Sequence, residues 1–359
     1  MTFFSTFVVR RLAVRFSIIV QPDDRRVHER PTPTAGGAAM YLGLLASIVV
    51  ASQIPGLSPL FRGSSDPIGL VLGASVIFTV GMVDDLREMS PPAKLSGQIV
   101  AGTVLYLFGI SMLFFRIPFA NNTLVLSADL VPVLTVLWVV GMANAVNLVD
   151  GLDGLAAGIV GIAASAFFVY SHQLVHTGTI APETSGQLLS VIVIGICVGF
   201  LPHNFHPAKI FMGDAGAMLL GLLMAASTMA VVGQTDQDFS GRTYFFFAPV
   251  LIPFFILGIP MLDTAFAILR RAGRRTNPAI ADKNHLHHRL MRLGHGQTRS
   301  VLILWTWTGL LSGLVLYPSF VNGALSIVPI GAAALGVALY TLFGVRGRGG
   351  TTEVPLKAR

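Results

Sequence analysis

Long apolar runs recur from one end of the chain to the other, and they limit the fold more than any other feature. Eleven can be read, at about residues 3–20, 35–53, 67–83, 94–115, 130–147, 154–172, 187–201, 215–233, 244–269, 300–317 and 321–345. A bilayer offers no water to unpaired backbone N–H and C=O groups, so only α-helices and closed β-barrels cross it. Barrel strands are short and alternate apolar with polar residues. These runs are unbroken and mostly too long for such strands, which makes them helices, although several fall short of the roughly 20 residues a hydrocarbon core asks for. Composition agrees: 53% of the chain is hydrophobic and 11% charged, where a soluble domain carries roughly 25% charged residues. The expectation is an all-α integral membrane protein, a polytopic bundle of about eleven transmembrane helices. It forms a single transmembrane domain over residues 1–359, with 346–359 as a flexible cytoplasmic tail. The first run is interrupted by Arg10, Arg11 and Arg15, which spoils it as a signal-peptide core and suits a tilted or partly interfacial helix.

The net charge is +7. In a soluble protein such an excess points to nucleic acid; in a membrane protein it is the bias that places Lys and Arg on the cytoplasmic side. No nucleic-acid partner is therefore expected. Alternating the spans puts eighteen Lys and Arg on one side, in the segments around 21–34, 84–94, 202–214, 270–299 and after 345. The other side has three, Arg62, Arg116 and Arg242. The basic side is expected to be cytoplasmic, with the N-terminus outside and the C-terminus inside. Asp84, Asp85, Asp150, Asp153, Asp214, Asp282, His203, His206, His285, His287 and His288 fall on that same side. The one cysteine, Cys197, lies in an apolar run and rules out an internal disulfide.

The polar residues of that face cluster in five stretches. In "GMVDDLREMSPPAK" (81–94), Asp84 and Asp85 follow directly on an apolar span. Adjacent carboxylates suit a hard cation such as Mg²⁺, and their repulsion can create a base; a solvated loop is the plain alternative. In "NAVNLVDGLDGLAAG" (144–158), Asn147, Asp150 and Asp153 offer oxygen ligands and amide hydrogen bonds, and Gly151 and Gly154 allow close backbone approach. Here the plain alternative makes Asp153 the N-cap of the next helix. "HNFHPAKIFMGDAGAMLLG" (203–221) sets Asp214 in a Gly-rich helix start with Asn204 and Lys209 before it, a place for phosphate or for a metal that holds phosphate. "DKNHLHHRLMRLGHG" (282–296) gathers His285, His287 and His288 with Arg289 and Arg292. That spacing fits hydrogen bonding to phosphate better than structural zinc. "DDRRVHERPTPTAGG" (23–37) reads on its own as a basic loop leading into a helix. Asp263, near the inner end of the ninth run, is a further candidate or a partner for Arg270 and Arg271. Carboxylates, Gly-rich phosphate approaches and Arg, His and Lys donors in an apolar surround imply phosphoryl transfer at a membrane surface.

"TPTAGG", "VDDLRE" with Lys94, "NAVNLVDGLDGLAAG", "KIFMGDAGAMLLG" and "DKNHLHHRLMRLGHG" occur in this order between about residues 21 and 299. Together they resemble the polyprenyl-phosphate N-acetylhexosamine-1-phosphate transferase family. The resemblance implies Mg²⁺-dependent transfer of a sugar 1-phosphate from a UDP-sugar to a polyprenyl phosphate, with Mn²⁺ able to substitute, giving a polyprenyl-diphospho-sugar and UMP. It implies a catalytic or metal-proximal role for Asp84 and Asp85, and site roles for Asn147 and Asp153. It makes Asp214 a Mg²⁺ ligand, with Asp85 or Asp153 helping. It puts His285, His287 and His288 near the diphosphate, and Asn204 and Phe211 near the nucleotide; Lys94 matches a family lysine. Members often form dimers, so a homodimer is one expectation, beside membrane lipid as surroundings.

Leu286 breaks what is a run of three histidines in the peptidoglycan branch. The H-L-H-H pattern and eleven spans resemble the undecaprenyl/decaprenyl-phosphate GlcNAc-1-phosphate branch, which serves O-antigen, teichoic acid or arabinogalactan linkers. The expected activity is thus GlcNAc-1-phosphate transfer in the bacterial plasma membrane, as the first membrane step of a cell-envelope glycan. The same chemistry on phospho-MurNAc-pentapeptide, GalNAc or a diamino-sugar is the alternative. A proton-coupled transporter is a remote one, since relay residues would line a path to both faces.

Overall fold

A computed structural model of the chain describes residues 1–20, 31–116, 123–176, 178, 185–232, 296–320 and 328–343. The described residues are predominantly helical. Helix α1 (Thr2–Arg15) precedes α2 (Gly36–Ser52), the short α3 (Ser58–Arg62), α4 (Asp66–Arg87) and α5 (Pro91–Leu107). Then come α6 (Leu130–Val149), α7 (Leu155–His176), α8 (Ser185–Asn204), α9 (Gly213–Val232), α10 (Gln297–Phe320) and α11 (Val328–Phe343). Two small antiparallel ribbons complete them. Strand β1 (Ile19–Val20) pairs with β2 (Thr32–Pro33), Ile19 opposite Pro33. Strand β3 (Phe114–Arg116) pairs with β4 (Thr123–Val125), Phe115 opposite Leu124.

Helix α9 is the axis of the bundle. In the apolar stretch of α9, 94% is buried against protein, whereas in α4 and α6 the share is 33%. Helices α2, α4, α6 and α8 surround it. In lipid, helices associate by close van der Waals packing, which favours small residues at the contacts. A Cβ on Gly37 of α2 or on Gly81 of α4 would run into the backbone of α9 at Gly216 and Ala215. On the far side, Gly221 of α9 meets the backbone of α6 at Ala143. Leucines and methionines such as Leu44, Met40, Met142 and Met218 fill the spaces that remain. Outward-facing side chains, among them Phe4, Val49, Ile68, Leu107, Leu137 and Val198, are apolar and exposed, as lipid contact requires. Helix α10 packs on α7, where Trp305 fills the notch left by Gly158 and donates its indole N–H to the Leu155 C=O at 3.4 Å.

Five helices, α4, α6, α7, α8 and α9, are long and apolar enough to cross a membrane; α2 with the segment Pro55–Arg62, bent by 99°, makes a sixth if taken as one span. For these five, the runs expected from sequence agree with the helices to within a few residues. Two other runs end differently. The first stops being helical at Arg15, where Ser17 takes a positive φ of 55° and the chain enters β1. The run at 94–115 is helical only from Pro91 to Leu107. Gly109 at φ +101° turns the chain out of the helix, and Ser65 Oγ donates to the Phe108 C=O at 2.7 Å. The ninth run and the proposed tail lie outside the described residues.

Candidate active site at the head of α9

The site is built on the first turn of α9. Gly213 stands at φ +68°, a conformation that suits glycine, and a Cβ there would collide with the Asp85 carboxylate. Asp85 Oδ1 accepts the N–H of Asp214 at 2.8 Å, and its Oδ2 accepts that of Ala215 at 3.2 Å. A carboxylate against the unpaired N–H groups of a helix start is doubly favourable, by hydrogen bond and by helix dipole. The aspartate pair at the end of α4 is thereby tied to the M-G-D stretch 129 residues further on.

Asp84 turns the other way. Its Oδ1 accepts the Met89 N–H at 2.6 Å, and its Oδ2 accepts from Lys94 Nζ at 3.0 Å. The same ammonium donates to Asp214 Oδ2. One partly buried cation from the first turns of α5 thus bridges carboxylates from α4 and α9.

The 147–154 loop closes the adjacent side. Asp150 is half-buried just beyond the end of α6. Burial first, then the charges of Asp85 and Asp153, push its carboxyl up to about 7. Asp153, 8% exposed, is no helix cap: its Oδ2 accepts from His206 Nδ1 at 2.8 Å and from the Ala208 N–H at 3.1 Å. The capping alternative raised by the sequence therefore fails, because this carboxylate binds the 205–212 loop instead. Asn204 is buried; its Oδ1 accepts the Gly154 N–H at 3.0 Å and its Nδ2 donates to the Ile210 C=O at 3.0 Å. It staples the two loops together through backbone groups. Asn147 Nδ2, one turn before Asp150, is buried with no hydrogen-bond partner among the described residues, the state of a donor that the described fold does not use.

The Thr-Pro-Thr-Ala-Gly-Gly stretch is more than a basic loop. The Pro33 C=O accepts the Phe211 N–H at 2.8 Å, and the Gly36 and Gly37 N–H groups donate to the carbonyls of Phe211 and Met212, each at 2.9 Å. Phe211 is therefore the backbone hub between the start of α2 and the start of α9.

Four of the five motif stretches meet at this end of the bundle. His285, His287, His288 and Arg289 lie outside the described residues, as do residues 21–30 and Asp263. Among the described residues, no three His, Cys, Asp or Glu side chains converge as a metal-binding group. Two residues that structure this end of the bundle are not singled out by the sequence. His206 was only assigned to the polar face, and its link to Asp153 could not be read from spacing. Gln98 carried one weak signal, standing one helical turn beyond Lys94 on α5.

The glycosyl transferase family 4 model matches residues 67–232, which hold the Asp84–Asp85, 144–158 and M-G-D stretches. The decaprenyl-phosphate N-acetylglucosaminephosphotransferase of Mycolicibacterium smegmatis is 38% identical over 353 residues, covering 97% of this chain and 87% of the relative. A probable undecaprenyl-phosphate N-acetylglucosaminyl 1-phosphate transferase of Bacillus subtilis is 34% identical over 342 residues, covering 94% and 84%. The phospho-N-acetylmuramoyl-pentapeptide-transferase of Staphylococcus saprophyticus is 30% identical over 324 residues, covering 86% and 91%. Identity of this extent and a site assembled from the shared motifs lead to one conclusion: the chain is a multi-pass membrane enzyme of glycosyl transferase family 4, the family of sugar-1-phosphate transferases.

Proposed function

We propose that this enzyme transfers N-acetylglucosamine 1-phosphate from UDP-GlcNAc to a polyprenyl phosphate, yielding polyprenyl-diphospho-GlcNAc and UMP. The observation that carries the reading is the Asp84–Lys94–Asp214 bridge, which brings the charged residues of separate motifs onto the head of α9. The choice of sugar follows the relatives named for N-acetylglucosamine phosphotransfer, which are 34% to 38% identical, against 29% to 30% for the pentapeptide transferases.

In the reaction an oxygen of the lipid phosphate bonds to the β-phosphorus of the nucleotide sugar. The bond from that phosphorus to the bridging oxygen breaks, and UMP leaves with the electron pair. Asp84 holds or takes the proton of the acceptor phosphate. Lys94, released from its carboxylate partners, offsets charge on the phosphates. Asn147 supplies its unanswered N–H to the donor substrate. Asp153 and Asn204 keep the surrounding loops in place.

A Mg²⁺ ion fits this donor set. Hard oxygen ligands predominate, and the spot between Asp84 and Asp214 already accommodates a cationic group. Mg²⁺ needs only one or two carboxylates when phosphates and waters complete its shell. Asp214 would hold it, assisted by Asp84 or Asp85, and it would supply neutralisation of the diphosphate charge; Mn²⁺ would serve in its place. The Lys and Arg excess that the sequence assigns to this side of the membrane supports a site on the cytoplasmic face of a bacterial plasma membrane, within a bundle of about eleven spans.

The test is UMP release by purified full-length protein in detergent with a polyprenyl phosphate and Mg²⁺, offering UDP-GlcNAc, UDP-GalNAc and UDP-MurNAc-pentapeptide side by side. UMP from UDP-GlcNAc that requires both lipid and metal is expected. Asp84→Asn should abolish turnover and leave UDP-GlcNAc binding nearly intact. Preference for another donor would move the enzyme to a different branch, and no UMP from any donor would overturn the reading.

A further inference from the structure

Gln98 has no place in the phosphotransfer chemistry, yet its side chain is fully engaged inside the bundle. It is 1% exposed in the second turn of α5. Its Oε1 accepts from Asn144 Nδ2 on α6 at 2.7 Å, and its Nε2 donates to Asn144 Oδ1 at 3.3 Å and to Met218 Sδ on α9 at 3.2 Å. The spacing of these partners is the informative part. Lys94 and Gln98 are four residues apart on α5, and Asp214 and Met218 are four residues apart on α9. The two contacts from α5 to α9 are therefore successive rungs, each helix rising about 6 Å between them.

Helix α5 packs along α4 and α6, and its reach to α9 is made by these long side chains. Long side chains are flexible, and beyond the Lys94–Asp84 ion pair the close contacts of α5 with α4 are apolar, Gly73 against Ala101 and Leu105, and Gly97 against Val80. In lipid no hydrophobic gain separates one register from another, so register rests on close packing and on polar pairs. A directional amide pair adds to the packing by distinguishing registers through geometry as well as shape. A slip of one turn would carry Lys94 about 6 Å from Asp214 and strip the buried Gln98 amide of its partners, while the exposed Asn144 would keep its bond to the Val140 C=O at 2.8 Å.

We propose that Gln98, paired with Asn144, is a positioning residue that fixes the depth of Lys94 between Asp84 and Asp214. It acts through Lys94 and touches no substrate. This inference rests on the phosphotransfer reading given above.

Full-length Gln98→Met, Asn144→Leu and the double variant separate positioning from mere stability. Methionine keeps the length of glutamine without its amide, and the double variant leaves no buried amide unpaired, which makes it close to neutral for stability. Each is assayed for UMP release and for thermal unfolding in detergent. Misplacing a catalytic group by about 1 Å can lower the rate on the order of 100-fold. The expected result for Gln98→Met is a kcat lowered by roughly 10- to 100-fold, with KM for UDP-GlcNAc within about twofold of wild type. The double variant should melt where the wild type does and still keep the low kcat. Recovery of kcat together with Tm in the double variant would reduce the pair to a structural contact, and wild-type kcat in Gln98→Met would overturn the proposal outright. Wild-type protein that releases no UMP overturns the phosphotransfer reading itself, and this inference with it.

Discussion

At the scale of single residues, the head of α9 depends on two neighbours that tolerate little change. Gly213 adopts a left-handed φ of +68° directly against the Asp85 carboxylate. Gly213→Ala should destabilise the protein by about 1–3 kcal/mol from the backbone conformation alone. Displacement of the cap should lower UMP release further than the Tm shift accounts for. Asp150 carries a different signature. Its carboxyl, raised from 3.8 to about 7, binds its proton more tightly in the folded chain than in the unfolded one. The contribution of Asp150 to stability then falls as pH rises between about 4 and 7, and levels off above, because its folded form holds more of its proton across that window. Asp150→Asn should flatten this slope in chemical or thermal unfolding of the metal-free protein. An unchanged slope would show that the carboxyl is better solvated than its surroundings indicate.

At the scale of elements, the glycines facing α9 act together. Gly81 lets α4 approach the backbone of α9 at Asp214 and Ala215, the same turn that Asp85 caps from the next turn of α4. Gly81→Val should cost about 1–3 kcal/mol or more through overpacking. It should also push α4 outward, so that Asp85 loses its two N–H partners. Loss of activity out of proportion to the loss of Tm would separate this from a general effect. A variant that melts lower and yet turns over normally would show that the cap survives an altered helix spacing.

At the scale of the whole molecule, the orientation in the membrane can be read directly. Cys197 is fully buried and is the one cysteine of the chain, so single cysteines can be introduced without removing it. Gly56, exposed in the segment after α2, belongs to the face expected outside. Lys209, exposed in the loop before α9, lies on the face expected inside. In intact cells a membrane-impermeant maleimide should label Gly56→Cys, and should label Lys209→Cys only after permeabilisation. The reverse pattern would invert the topology, and with it the assignment of the active site to the cytoplasm.

The apolar runs by themselves determined a helical membrane protein, and five of them mark the observed helices to within a few residues. Transfer into lipid sums over residues one at a time, so a linear chain carries that information in full. The order of the motif stretches likewise marked which polar residues belong together. Where helices end was legible only in part, as at Gly109 and Ser17, because one turn-forming residue is a small signal inside a long apolar run. What each polar side chain does was decided by tertiary structure alone. Asp85 caps α9, Asp153 binds His206 rather than its own helix, and Gln98 completes a second rung beneath Lys94. Such pairings join residues 53 to 129 positions apart, and they exist only once helix spacing and register have been set by packing. A carboxylate in the sequence is equally able to cap a helix, pair with a cation or hold a metal; its neighbours in three dimensions choose among these.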